Sequence, residues 1–239
     1  MFKGVGVGVL TVLLAACGAP KPRPLPSPLP GQPANAPSPP PPGRTYRIDD
    51  SQSELRILVY RAGPLARLGH NHVIVNRTLH GTIKSDAAGA SVFTVQVPLA
   101  AFVVDDAQAR REEGADFEGE IPDDAKSGTL HNMLSAAVLD AERFPVMTID
   151  GSGTLAGTPS VAGAAVSGSA SAAINVAGHE SKIAVPFTMQ SDSNHAAASG
   201  SIELRQTALG LTPYSLLLGA LQVQDAMTVK FHIIAVPDN

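Results

Sequence analysis

Two histidines one residue apart have the spacing in this sequence that most readily suggests chemistry. They lie in the stretch ARLGHNHVI, residues 66–74, of a 239-residue chain that has seven histidines in all. Side chains two residues apart in an extended strand point the same way, so His70 and His72 could offer two imidazoles to one metal ion. His131 or His179 would supply a third ligand. Outside the cytoplasm, copper and zinc are the metals that suit such ligands.

The same pair also has interpretations without a metal. The two histidines could follow Gly69 in a turn and hydrogen-bond the backbone at the start of a strand, or they could lie near the polar head group of a lipid. If the strand runs unbroken from His70, alternation places His70 and His72 on the face opposite to Val73 and Val75. The histidines would then face away from the apolar residues that we expect to line the fold.

Recognisable catalytic motifs are missing from the sequence. It contains no Gly-x-Ser-x-Gly nucleophile motif, no His-Glu-x-x-His zinc motif and no phosphate-binding glycine loop. The net charge of -4, without a basic run after the N-terminus, argues against a nucleic-acid partner. We therefore expect a binding protein and not an enzyme.

The N-terminus has the features of a bacterial secretion signal. Lys3 supplies a positive charge, and the apolar stretch after it is too short to cross a bilayer. It ends in Leu14-Ala15-Ala16-Cys17, which resembles the lipobox of bacterial lipoproteins, in which the cysteine is diacylated and becomes the new N-terminus. We expect a signal peptide over residues 1–16, acyl chains such as palmitate on Cys17, and a protein anchored facing the periplasm. The outer membrane is favoured because Gly18 is not Asp.

A proline-rich segment separates this anchor from the rest of the chain. Residues 17–44 consist mainly of Pro, Ala, Ser and Gly, which cannot bury apolar area and favour extended polyproline II. We expect a stalk over these residues and one folded domain over residues 45–239.

Apolar residues in the folded domain recur at every second position, which is typical of half-buried strands. Clusters of Gly, Asp, Ser and Asn separate these stretches and favour sequential hairpins, and hence a sandwich or closed barrel. The residues expected to line the apolar interior are Leu55, Ile57, Val59, Phe93, Val95, Val97, Ile183, Val185, Phe187, Met227, Val229 and Phe231.

Helical spacing occurs in one segment. Residues 122–144 carry apolar side chains at helical intervals, with Asp123 and Asp124 at the start, where the helix dipole favours acidic groups, and Pro145 at the end. This predicts a single helix that packs on the barrel or plugs it. Residues 105–120 are rich in Asp and Glu and should form a solvated loop, since no EF-hand spacing supports a calcium site.

The order of these elements resembles the YceI-like polyisoprenoid-binding family. Ile48-Asp49 precedes Ser53 and an alternating strand, and Gly178 precedes a strand that contains Pro186-Phe187. The most specific match is the stretch DAERFPVMTI, residues 140–149, where a helix end, an aromatic-proline pair and a short strand coincide. The resemblance covers most of the chain from residue 45 to residue 236.

The resemblance implies an all-β domain with one helix, an extended lipocalin-like barrel of eight antiparallel strands. Its interior would hold an isoprenoid lipid, such as the tail of a quinone or a polyprenyl chain. A barrel of eight strands has room for one small ligand, although the same side chains could instead fill each other and leave no cavity. The sequence thus predicts a membrane-tethered protein that carries or sequesters an isoprenoid lipid. The alternative is a periplasmic metal- or haem-binding module that uses His70 and His72.

Overall fold

The computed structural model of the protein describes residues 43–86, 88–157 and 163–238. The expected signal peptide, Cys17 and nearly all of the expected stalk lie outside these ranges. The described residues are mostly β-structure. The strands are β1 (Arg44–Ile48), β2 (Glu54–Ala62), β3 (His72–Asn76), β4 (His80–Ser85), β5 (Ala90–Pro98), β6 (Val103–Val104), β7 (Val146–Leu155), β8 (Val166–Val176), β9 (His179–Ser191), β10 (Ala196–Arg205), β11 (Ser215–Leu216) and β12 (Leu221–Pro237), and the helices are α1 (Ala107–Glu113) and α2 (Asp123–Leu134).

The strands close into an antiparallel barrel, which confirms the predicted fold class. Eight of them form a ring in the order β1, β4, β5, β7, β8, β9, β10 and β12, and β12 pairs with β1 to close it. Three strands of the barrel are each interrupted and therefore consist of two segments. These pairs of segments are β1 with β2, β3 with β4, and β5 with β6. The segments β2, β3 and β6 pair with β12 and with one another. The 17-residue strand β12 is long enough to pair with both β1 and β2.

Polar side chains replace the missing ladder bonds at the interruptions. The side-chain amide of buried Asn76 donates to the carbonyl of Pro98 at 2.9 Å, and its oxygen accepts from the backbone of Thr78 at 2.8 Å. The hydroxyl of Ser53 accepts from the backbone nitrogen of Ile234 at 3.0 Å. Because buried backbone groups need partners, these bonds let the strands bend without leaving those groups unpaired.

The two ends of the barrel differ. One end, which we name the mouth, carries the β4–β5, β7–β8 and β9–β10 connections together with the start of β1 and the end of β12. The other end, which we name the closed end, is filled by an apolar core. The buried residues of this core at the closed end are Leu99, Phe102, Val104, Leu139, Val176, Leu209, Leu211 and Met227.

Helix α2 packs on the closed end and is shorter than the sequence predicted. Leu130 and Met133 lie against the core, but the helix ends at Leu134 and not near residue 143. Ser135 terminates it, because its backbone is extended and its hydroxyl donates to the carbonyl of Asn132 at 2.7 Å. Within the described ranges, neither helix is long and apolar enough to cross a membrane.

The acidic segment 105–120 is not the solvated loop that its composition predicted. It contains helix α1, which begins where the Asp106 carboxylate accepts a hydrogen bond from the backbone of Ala109 at 2.9 Å. Ala109 and Phe117 are buried against the outer face of the barrel, so the described part of the domain contains two α-helices where the sequence predicted one. The barrel residues beneath them are Leu58, Val73 and Val75.

Ion pairs fix the acidic end of α1 to the barrel wall. The Glu113 side chain, only 5% exposed, accepts hydrogen bonds from Arg56 at 2.9 Å and from Lys230 at 2.5 Å. Glu112 accepts a further bond from Arg56 at 2.8 Å. Burial by itself would raise the pKa of Glu113, but Lys230 and Arg56 hold this pKa below its ordinary value. The acidic residues therefore have basic partners on β2 and β12, far away in sequence.

Candidate ligand-binding cavity

An apolar cavity of about 420 Å³ lies inside the barrel. Its lining begins at the mouth, in the connections between paired strands, and reaches Leu55 and Leu79 on the buried core. The volume falls in the range that small-molecule sites usually have, roughly 300–1,000 Å³. The barrel is therefore hollow between its mouth and its closed end.

Inward-facing residues of the strands build the cavity wall. In β9, for example, residues of one parity face the cavity and those of the other are exposed, as alternation in a strand requires. The wall is aliphatic and aromatic, with small side chains between the large ones. Its apolar members away from the mouth include Leu55, Leu79, Ile83, Phe93, Val95, Val97, Ile149, Ala170, Ala172, Ile174, Ile183, Val185, Phe187, Ile202, Leu204, Val229, Phe231 and Ile233.

Nine of the twelve residues that we expected in the interior line this cavity, among them Phe187 and Phe231. The other three, Ile57, Val59 and Met227, do not line it. They have the inward parity expected of them but lie nearer the closed end, where they pack with the core. Alternation identifies the inner face of a strand, but it does not show where along the strand the hollow stops.

Small residues of β8 form a part of the wall that the sequence did not identify. Ala170 and Ala172 are 7% and 3% exposed and line the cavity together with Ile174. The Gly, Ala and Ser residues around them obscured the register. The alternation itself could have identified them, because positions 170, 172 and 174 lie on the same face of β8 as the buried Val176.

Polar groups occur in the lining only toward the mouth. The hydroxyls of Tyr46, Ser85, Ser91 and Ser191 belong to it, and so does Asp86, the only Asp, Glu, Lys, Arg or His among the lining residues that the structure describes. One carboxylate oxygen of Asp86 accepts backbone hydrogen bonds at 2.9 Å within the β4–β5 connection. A ligand with a long apolar part and a polar end would match this distribution.

His72 lies away from this cavity and contacts an acidic residue. Its Nδ1 is 2.6 Å from a carboxylate oxygen of Asp105, which follows β6. The other oxygen of Asp105 accepts from the backbone of Val73 at 3.0 Å and from Arg110 at 2.6 Å. Burial by itself would raise the pKa of Asp105, but His72, Val73 and Arg110 hold this pKa below its ordinary value.

The expected metal ligands do not come together. His70 and His72 do lie near each other, with ring centroids 6.2 Å apart, but His131 lies on α2 and does not join them in a group of three. Within the described ranges, no three His, Cys, Asp or Glu side chains form a group suited to a metal ion. The contact between Asp105 and Nδ1 fixes the orientation of the His72 ring.

The predicted orientation of the histidine pair was wrong in one respect. Val73 and Val75 do lie on the face opposite to His72, but that face is the outer one, beneath α1. Ile74, which shares the face of His72, belongs to the core inside the barrel. The strand is also interrupted after Asn76, so parity counted from His72 does not continue into β4.

Comparisons with known proteins agree with this architecture. The profile of the YceI-like domain family matches residues 46–235. No curated protein sequence matches the chain.

Two solved structures have a similar fold. One is a polyisoprenoid binding domain from Saccharophagus degradans implicated in plant cell wall breakdown, with 12% identity and a TM-score of 0.54 over 81% of this chain and 98% of that one. The other is BcnA from Burkholderia cenocepacia, with 14% identity and a TM-score of 0.55 over 79% and 99% of the two chains. At these identities the likeness concerns the fold.

Proposed function

The chain belongs to the YceI-like domain family, and we propose that it binds an isoprenoid lipid inside its barrel. The observation that carries this proposal is the cavity of about 420 Å³ with an aliphatic and aromatic wall. An apolar cavity offers water few hydrogen-bond partners, and even smaller apolar cavities bind apolar molecules. The relation to the polyisoprenoid binding domain from Saccharophagus degradans supports an isoprenoid over other apolar ligands.

The ligand in this proposal has a chain inside the barrel and a polar end at the mouth. A five-carbon isoprene unit that leaves water for such a wall contributes roughly 3–4 kcal/mol before ordering costs are subtracted. The hydroxyls of Ser85 and Ser191 and the carboxylate of Asp86 are near enough to the opening to serve a polar head. The tail of a quinone and a polyprenyl alcohol both have this form.

We further propose that the protein carries or sequesters the lipid without transforming it. The described lining offers the hydroxyls of serines and Tyr46 but no histidine that could act as their base. His72, which has a carboxylate partner in Asp105, does not line the cavity. This lining supports a role in holding the ligand.

Membrane tethering through Cys17 completes the proposal. Its support is the sequence Leu14-Ala15-Ala16-Cys17 at the end of an apolar signal, outside the described residues. Acyl chains contribute about 0.8 kcal/mol for each buried methylene, so two chains suffice for stable anchoring on a periplasm-facing membrane. Mass spectrometry should find acylated Cys17 in the membrane fraction, and exchanging residues 1–17 for a signal peptide that is cleaved without lipidation should move the protein to the soluble fraction. An unmodified Cys17 in membrane-extracted protein would refute the tether but not lipid binding.

Lipid binding can be tested by extracting the purified full-length protein with organic solvent and identifying the extracted lipids by mass spectrometry. We expect a prenyl-chain lipid at close to one molecule per protein. Val185→Asp places a charge on the cavity wall and should abolish retention, because an unpaired carboxylate in an apolar site is costly. Thr188→Asp changes an exposed position of the same strand and should retain the lipid. Wild-type protein without lipid, or equal retention by both variants, would contradict the proposal.

A further inference from the structure

Each of three phenylalanines in the cavity wall lies opposite a glycine on a neighbouring strand. Phe93 of β5 pairs with Gly151 of β7, and Phe187 of β9 pairs with Gly168 of β8. The third pair joins Phe231 of β12 to Gly200 of β10. Directly paired residues point to the same face of a sheet, so each glycine leaves a gap beside an inward-facing aromatic ring.

The rings occupy these gaps. A Cβ atom built on Gly151 would lie 2.6 Å from the ring of Phe93, and one on Gly200 would lie 2.5 Å from the ring of Phe231. A Cβ atom on Gly168 would overlap the ring of Phe187. Real Cβ atoms do not approach other atoms this closely, so each ring lies where a larger residue would have its side chain.

Ring position matters because these phenylalanines also line the cavity. A ring that lies over a glycine is close to the backbone of the wall and leaves the centre of the barrel open. A side chain at the glycine would displace the ring toward the centre and narrow the space. Interiors are packed closely enough that a change of one methyl group affects what fits.

We infer that Gly151, Gly168 and Gly200 are positioning residues that set the cross-section of the cavity and thereby its selectivity for methyl-branched chains. The inference rests on the proposed function, because selectivity requires that a chain enters the barrel. An isoprenoid carries a methyl branch on each unit and is wider than a straight alkyl chain of equal length. A narrower barrel would therefore disfavour the branched chain more than the straight one.

Gly168 offers the cleanest test of the three glycines. All the nearest neighbours of its added Cβ are ring atoms of Phe187, which can rotate away. At Gly151 and Gly200 the Cβ would also meet backbone oxygens, 2.5 Å and 2.7 Å away, so alanine there would disturb the sheet itself. Ser167 provides a matched control on the same strand, because it directly precedes Gly168, is exposed and does not belong to the described lining of the cavity.

The experiment measures two affinities on lipid-stripped full-length protein by native mass spectrometry. The probes are geranylgeraniol and hexadecanol, a branched and an unbranched alcohol of equal main-chain length. Gly168→Ala should weaken geranylgeraniol binding relative to hexadecanol binding by about tenfold, the scale of discrimination that a methyl group commonly gives. Ser167→Ala, on the outer face of the same strand, should leave the ratio unchanged. The double variant Gly168→Ala/Phe187→Ala should restore geranylgeraniol binding relative to hexadecanol binding. If Gly168→Ala acted only by disturbing the packing of the wall, removing the ring as well would not restore this ratio.

Phe187→Ala alone keeps the test independent of whether Gly168→Ala folds. It removes the ring and should shift the ratio toward the branched probe. An unchanged ratio in both Gly168→Ala and Phe187→Ala, with binding retained, would overturn this inference alone. Wild-type protein that binds neither alcohol and contains no lipid after purification would overturn the proposed function as well.

Discussion

Replacing Ala172 by leucine tests whether the barrel is hollow. Ala172 is 3% exposed and lines the cavity from β8, where it pairs with Gly151 and Ile183. A leucine at this position would project into the cavity of about 420 Å³ that we propose as the lipid site. In a filled barrel the same leucine would meet close-packed side chains.

The magnitude follows from the added surface. Leucine brings three more carbon groups than alanine, and at about 0.8 kcal/mol for each buried methylene they contribute roughly 2 kcal/mol. Ordering the leucine side chain costs about 0.5–1 kcal/mol. We therefore expect the free energy of unfolding of the lipid-stripped protein to rise by about 1–2 kcal/mol, while lipid retention falls because the leucine occupies ligand space.

Urea unfolding of lipid-stripped wild-type and variant protein measures the first effect, and lipid extraction measures the second. Ala173→Leu is the matched control, because Ala173 is the next residue of β8 and has the opposite parity, away from the cavity. It should change neither quantity, and its free energy of unfolding should stay within about 0.5 kcal/mol of wild type.

A loss of stability in Ala172→Leu would refute the reasoning. Overpacking a filled core costs about 1–3 kcal/mol, so a fall of that size would mean that the side chains in the barrel already fill each other. Increased stability together with undiminished lipid retention would show that the cavity exists but is not where the lipid binds.

Three further predictions concern the polar groups outside the cavity. Asp105→Ala should lower the free energy of unfolding by about 3–5 kcal/mol in urea titrations, because it leaves the buried guanidinium of Arg110 unpaired; a loss below about 1 kcal/mol would contradict this. Folding lowers the pKa values of Asp105 and Glu113. The two carboxylates therefore stabilise the folded protein fully above their unfolded pKa values of about 4, and this stabilisation is lost as the pH falls through the folded pKa values. Urea midpoints from neutral to acidic pH should fall accordingly, and less steeply in Glu113→Gln. Lys230→Met should speed amide exchange in α1 without changing lipid retention, and unchanged exchange would show that the ion pair does not fix the helix.

The strand pattern predicted the barrel well, because alternation directly reports which side chains face inward. Leu55 and Phe231 lie where the pattern put them, and they pair across β2 and β12. Val73 and Val75 show the limit of this reasoning. Both faces of β3 are buried, one inside the barrel and one beneath α1, so an apolar parity did not identify the inner face.

The cavity and α1 could not be predicted from the sequence because both depend on contacts between distant segments. The sequence around Glu113 is acidic, and its structure depends on Arg56 and Lys230, which are adjacent only in the folded barrel. Whether the barrel was hollow depended on which residues oppose Phe93, Phe187 and Phe231 across the sheet. Identifying these opposing residues requires the register of the strands, and the many Gly, Ala and Ser residues left this register uncertain at the level of sequence.

The closure of the ring between its first and last strands has a consequence for folding. The bond between Ser53 and Ile234 joins residues 181 positions apart, whereas the other pairings in the ring join segments much nearer in sequence, such as β1 with β4 and β8 with β9. Closing so long a loop costs entropy that is recovered only after both edges have formed, so we expect this step to come late and to be slow. Until then the wall is an open sheet with two unpaired edges, each able to pair with another molecule. A newly synthesised chain would be most prone to aggregate just before its barrel closes.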